Sequence, residues 1–344
     1  MSDMVRAMNG KERMYAALDF QPVDMVPLMP PFQGYWGLAL AGVSIADSLK
    51  DPKLAAAAQV EVARKCHFDA LEAFWDWLSP VEAIGCEVRV PKVGEIATWK
   101  HIIAGPNSLE ELEHPDPYKD KRFVAGLETK RLVCRELKNE LLCFGSICSP
   151  FTLAGEIRGV EALILDLIIE PEFAKDTLDY SADVITEYCR AMLEEGMENL
   201  MLCDPTSSGS LITRVDFLKF VHPRMRGIVK QIDKEGGVSL VHICGNTTDR
   251  LEDIATLGMS AFSTDSSVYI RYARKVFGKN VALIGNVNPY QTLLNGSEED
   301  IKVEAEKCLR EGGREGYILG ASCDILPSTP VENIQVLDRC RRVE

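Results

Sequence analysis

Short apolar runs recur along the chain, each followed by a longer stretch whose apolar positions repeat with helical spacing. The runs read as strands fall at 26–32 (VPLMPPF), 69–75 (DALEAFW), 141–147, 199–205, 239–245, 261–265, 281–287 and 317–323. Helical spacing fills the gaps around 53–66, 119–139, 172–195, 215–235, 249–257, 269–276, 298–312 and 330–341, several of these opened by Asp, Ser or Pro. Strands joined through helices run parallel, and eight such units predict an α/β fold closed as a (βα)8 TIM barrel. Residues 76–118 are too long for an ordinary connection and contain CEVRV and EIATWKHI, which predicts a small hairpin inserted after the second strand. No repeat, low-complexity tract or linker divides the chain, so 1–344 is expected to be a single barrel domain.

Composition narrows the partners. With 46% hydrophobic and 26% charged residues the chain has the make-up of an ordinary globular protein with a sizeable core. A net charge of −14 repels phosphate backbones and anionic bilayers, which argues against nucleic-acid or membrane partners. The opening MSDMVRAMNGKERM is polar and lacks the apolar stretch of a secretory signal, so a cytoplasmic location is expected. Eleven scattered cysteines then read as small core residues or ligands, not as a disulfide framework. No feature marks a self-association face, and a homo-oligomer stays open.

Barrel enzymes assemble their sites from the C-terminal ends of strands. There, His242-x-Cys244 ends the fifth strand and Cys323 ends the eighth, roughly 80 residues later. That gap is too long for a zinc finger but natural for two strand ends that meet across a barrel mouth. Alternate residues of a strand share a face, so His242 and Cys244 can point at one ion. One His and two Cys suit zinc with a fourth position left for substrate. Asp265, ending the sixth strand, is the nearest candidate for a displaceable fourth ligand. A His and a Cys on a buried strand are also common as packed core residues, and the residues alone leave both readings open.

Several longer stretches carry a resemblance. LVHICGNTTDRLEDIATLGMSAFSTD (240–265), GNVNP (285–289) and LGASCDILPSTPVENI (319–334) resemble the uroporphyrinogen decarboxylase superfamily, within it the methylcobamide:coenzyme M and chloromethane methyltransferase branch. KERMYAALDFQPVDMVPLMP (11–30), WDWLSPVEAIGCEV (75–88), SPFTLAGEIRG (149–159) and CDPTSSGSLITRVDFLKFVHP (203–223) agree with it. The resemblance implies the barrel, a zinc held by His242, Cys244 and Cys323 with Asp265 able to take the fourth position, and a corrinoid (cobalamin) carried by a cognate partner protein. It also places Asp76 where the decarboxylases keep an aspartate that grips pyrrole nitrogens. Those enzymes carry arginines in the first strand's loop for substrate carboxylates, whereas here that loop, PPFQGYWGLALAG (30–42), has none.

The expected activity is therefore methyl transfer between a corrinoid protein and a small-molecule methyl donor or acceptor. Zinc can activate an acceptor thiol or stabilise a departing alkoxide or phenolate, and the ligand set does not choose between them. Tyr35, Trp36, Phe74, Trp75 and Trp77 are candidates for an apolar wall against an aryl ring, which favours demethylation of a methoxylated aromatic compound. A thiol acceptor such as coenzyme M is the close alternative; uroporphyrinogen decarboxylase and a non-catalytic zinc-binding barrel are the others. Asp76, Asp204 and Asp265 are the candidate catalytic carboxylates. Asn246 and Asn286, which follow strands, are candidates for ligand or cofactor contacts.

Overall fold

The computed structural model describes residues 7–342; the opening stretch read at 1–6 lies outside them. Seven strands form one parallel sheet in chain order: β1 (Ala70–Phe74), β4 (Leu142–Cys148), β5 (Asn199–Asp204), β6 (Val238–Ile243), β7 (Ala261–Thr264), β8 (Ala282–Val287) and β9 (Tyr317–Ala321). Between β1 and β4, β2 (Glu87–Arg89) and β3 (Ala97–Lys100) pair antiparallel as the expected inserted hairpin.

The run at 26–32 is reduced to a single parallel bridge, Leu28 to Leu319, yet it still closes the barrel. Met29 N–H donates to Leu319 O (2.9 Å), Leu319 N–H to Pro27 O (2.9 Å) and Asp69 N–H to Leu28 O (2.9 Å). Pro27, Pro30 and Pro31 have no N–H to give, so the ladder cannot lengthen into a full strand. Asp69 reinforces the seam from below. Its carboxylate accepts the Leu28 N–H (2.8 Å) and pairs with Arg13 and Arg341, tying the first and last helices to the closure.

Parity along the strands separates two apolar layers. Ala70, Leu142, Phe144, Met201, Leu240, Ala261, Ala282, Ile284 and Ile318 fill the lumen, and Met14, Ala17 and Leu18 of the helix Gly10–Leu18 plug its N-terminal end. Their neighbours on the same strands, such as Leu71, Leu200, Leu202 and Val241, face the surrounding helices. Seven of the expected helices appear within a few residues of their predicted ends; 249–257 shrinks to Thr248–Arg250 and Leu251–Ile254. The short helices Gly34–Leu40, Ile45–Lys50, Ser79–Ile84 and Pro106–Glu110 escape the periodicity because each spans too few turns to show one.

Candidate metal centre

His242 lies in the lumen because it shares parity with Leu240, and its ring stands edge-on to Phe32, with centroids 4.7 Å apart. Cys244 follows the end of β6, and Cys323 follows β9 two residues after Ala321. Together they form a three-atom donor set. Their ligand atoms all lie within 4.8 Å of one another, with His242 Nε2 2.9 Å from Cys244 Sγ and Cys244 Sγ 3.3 Å from Cys323 Sγ. Contact with the Cys244 thiol and with His242 pulls the Cys323 thiol well below its ordinary pKa, while the same contact and burial push Cys244 up. One nitrogen and two sulfurs at this spacing fit zinc, and no other such group occurs among the described residues.

Two further contacts fix the donors. His242 Nδ1 lies 2.9 Å from Ser263 Oγ, the residue opposite it on β7, and this contact holds the ring with Nε2 towards the cysteines. Gly245 takes φ +82°, and an added Cβ would come within 2.7 Å of Ser208 Oγ, so glycine is required for the turn that aims Cys244.

Asp265 is beside this centre but outside the donor set. Its Oδ2 accepts the Gly245 N–H (2.9 Å) and its Oδ1 the Ser267 N–H (2.8 Å), so it braces the turn after Cys244. Asn286 holds the Asp265 segment in turn, donating to Asp265 O (2.9 Å) and Val268 O (2.8 Å), and so serves as a brace. Asn246 is exposed and forms a local turn, its Oδ1 accepting the Thr248 N–H (3.0 Å).

The other carboxylates are placed differently from expectation. Asp204 has the outward parity of Leu200 and Leu202, and its Oδ1 accepts from Thr152 Oγ1 (3.2 Å) and Thr206 N–H (3.1 Å), knitting the helix Pro150–Arg158 to the loop after β5. Burial raises its pKa. Asp76 is locked in a buried two-point ion pair with Arg122, whose Nε donates at 2.8 Å, and is not free to grip a ligand. Arg122 lies in the helix Lys121–Leu137, far along the chain, and nothing near Asp76 in the sequence announced it.

The expected aromatic wall is largely packed away. Phe74 faces outward against Phe123, and Trp36 is fully buried with its indole N–H donating to Thr329 O (2.9 Å). Tyr35 and Trp75 stack edge-to-face (5.1 Å) in a separate cluster roofed by Ile96 of the hairpin insertion. Of the five, Trp77 alone touches the lumen layer, joining Phe32 there. The register break between Glu72 and Phe74 turns the end of β1 out of simple alternation, which is why Phe74 faces outward.

Carboxyl groups were the residues missed. Glu72 is fully buried in β1, its carboxylate accepting from Gly34 N–H (2.9 Å) and Ser146 Oγ, and burial lifts its pKa to about 7. Asp324, next to Cys323, is pushed well up by burial, by its hydrogen bond with Glu95 of the insertion, and by the nearby Cys323 and Glu72. A glutamate inside an apolar strand, LEAF, was the available signal.

A closed parallel barrel with a His/Cys/Cys cluster at the C-terminal ends of its strands defines a TIM-barrel protein with a candidate metal centre. The chain belongs to the uroporphyrinogen decarboxylase (URO-D) family, whose model matches residues 9–342. It is 30% identical over 348 residues to the methylcobamide:CoM methyltransferase MtbA of Methanosarcina mazei, covering 96% of this chain and 97% of that protein. It is 29% identical over 305 residues to the uroporphyrinogen decarboxylase of Syntrophotalea carbinolica, covering 87% and 86%. The solved structure of a methyltransferase from Methanosarcina mazei superimposes with a TM-score of 0.89 at 26% identity, covering 97% of this chain and 98% of that one.

Proposed function

We propose that the chain is a zinc-dependent methyltransferase that works with a corrinoid protein in the cytoplasm, acting as a single domain. The observation that carries this reading is the convergence of His242, Cys244 and Cys323, a donor set suited to zinc and of no evident use to a decarboxylase. Relatives named as methylcobamide:CoM methyltransferases, alike over almost the full length, support it. The missing first-loop arginines and the neutralised Asp76 weigh against a porphyrinogen substrate, which presents many carboxylates and needs a free carboxylate for its pyrrole nitrogens.

When bound at these three atoms, zinc supplies a Lewis-acid position that favours a thiolate or a departing oxygen anion. The chain's own residues set the stage: Ser263 orients the His242 ring, Asp265 and Gly245 aim Cys244, and Phe32 packs edge-to-face against the imidazole. A small molecule held there is positioned for in-line transfer to or from a docked corrinoid.

For the small molecule we favour an uncharged methyl ether as donor, the corrinoid being the acceptor. The loop at residues 30–42 holds no arginine or lysine to pair with a sulfonated thiol. Trp77 and Phe32 offer apolar surface for a ring. The names of the relatives favour the second reading, transfer from the corrinoid to a thiol. The test mixes the zinc-loaded enzyme with a reduced corrinoid protein and follows the cobalt spectrum as aryl methyl ethers are added singly. Cobalt methylation that is lost in Cys244→Ala supports ether demethylation. If ethers are inert while a thiol strips methyl from preformed methyl-cobalt, the second reading replaces it; failure of both ends the methyltransferase proposal.

A further inference from the structure

Of the eleven cysteines, seven are buried and two belong to the candidate metal centre; the remaining, partly buried cysteines, Cys134 and Cys143, line one cavity. Cys134 sits in the last turns of the helix Lys121–Leu137 and Cys143 is the second residue of β4. The connection reverses through Lys138 and Asn139, both at positive φ (46° and 69°), and so brings the helix end back beside the strand start. Both thiols line one cavity of about 160 Å³, together with Lys11, Lys130, Glu198 and Asn199. This cavity is at the N-terminal end of the barrel. Asn199 opens β5 four residues before Cys203, the neighbour of His242, a strand distance of about 13 Å from the metal-centre layer.

We propose that Cys134 and Cys143 are a peroxide-reactive dithiol that closes to a reversible disulfide, a modification site separate from the metal centre. The cavity admits a small oxidant, and the short connection between helix and strand tethers the two cysteines at its wall. The two thiols are not equivalent. Hydrogen bonding from Cys143, aided by the ammonium groups of Lys130 and Lys11, holds Cys134 at about 7, whereas the same contact and burial push Cys143 well up. Cys134 is therefore the nucleophile and Cys143 the resolving thiol.

The chemistry balances with a peroxide as the named oxidant. The Cys134 thiolate attacks one peroxide oxygen; the S–O bond forms, the O–O bond breaks, and hydroxide leaves and takes up the proton that Cys134 had lost, giving a sulfenic acid and water. Cys143 sulfur then attacks the sulfenic sulfur; the S–S bond forms, the S–O bond breaks, and the departing oxygen takes the Cys143 proton and leaves as a second water. Two thiols are oxidised and one peroxide is reduced.

The test exposes the full-length, zinc-loaded protein to limiting hydrogen peroxide near neutral pH, alkylates the remaining thiols with iodoacetamide and reads the peptides by mass spectrometry. A Cys134–Cys143 linked peptide, two hydrogens lighter and restored by dithiothreitol, is expected. Cys143→Ser should stall with a dimedone-reactive sulfenic acid on Cys134, and Cys134→Ser should leave Cys143 fully alkylated. Recovery of both thiols in alkylated form after other cysteines or methionines have oxidised overturns the proposal. So does oxidation of Cys143 at an unchanged rate in Cys134→Ser.

Discussion

His242 Nδ1 sits 2.9 Å from Ser263 Oγ across the β6–β7 pair, and the contact holds the ring with Nε2 towards the cysteines. Ser263 is fully buried, so no water replaces its hydroxyl when it is removed. Ser263→Ala should weaken zinc binding about 10- to 100-fold, the usual cost of losing a histidine's orienting partner. Competition against a chromophoric chelator measures it, and an unchanged affinity would mean that Ser263 does not orient His242.

Purified protein should carry about one zinc per chain, as a single His/Cys/Cys set requires. Metal content should fall strongly in both His242→Ala and Cys323→Ala. Because the donors stand at the ends of two strands, β6 and β9, of a barrel with a large hydrophobic core, circular dichroism of chelator-treated protein should keep its native helical signal. Full zinc retention in both variants would remove the site.

Asp265→Asn separates bracing from ligation. The variant should keep its zinc, because the carboxylate lies outside the donor set. Placing an amide NH2 against either the Gly245 or the Ser267 N–H forfeits one hydrogen bond of two, a cost of about 1–3 kcal/mol in urea unfolding. Loss of zinc at unchanged stability would instead make Asp265 a ligand.

Arg122→Ala leaves the Asp76 carboxylate buried without a partner. Stripping one member from a buried pair costs about 3–5 kcal/mol, so the midpoint of chemical denaturation should drop sharply. Asp76→Asn combined with Arg122→Met removes both charges and should recover most of that loss. Equal destabilisation of single and double variants would show that packing, not charge, is at stake.

Glu72 predicts a pH dependence of opposite sign to that of an ion-paired acid. Its folded pKa is raised from the ordinary 4.5 to about 7, so between these values the unfolded chain loses the proton and the folded chain keeps it. The folded state then binds more protons than the unfolded one, and the Glu72 contribution to stability falls as pH rises through this window and levels off above it. At 1.36 kcal/mol per unit the full effect is at most about 3 kcal/mol. Glu72→Gln should raise the melting temperature at pH above about 7 relative to the parent, with the gap shrinking towards pH 4.5. A pH-independent gap would place the effect in packing alone.

What the chain determined by itself is the part written in local periodicity and residue chemistry. The apolar runs located every strand of the sheet, the helical stretches between them implied parallel order, and His242, Cys244 and Cys323 fell at strand ends as candidate donors, which the family resemblance chose over packed core residues. The strands are legible because apolar runs and parity depend on residues a few positions apart, as does the pairing of His242 with Cys244. The tertiary structure decided the partners. Arg122 cancels Asp76, the hairpin's Ile96 roofs Tyr35 and Trp75, and Asp265 spends both oxygens on backbone N–H groups. A register break in β1 turned Phe74 outward. Each outcome depends on which distant segment fills the space opposite a side chain, and that is set by closure of the barrel, which no local pattern along the chain encodes.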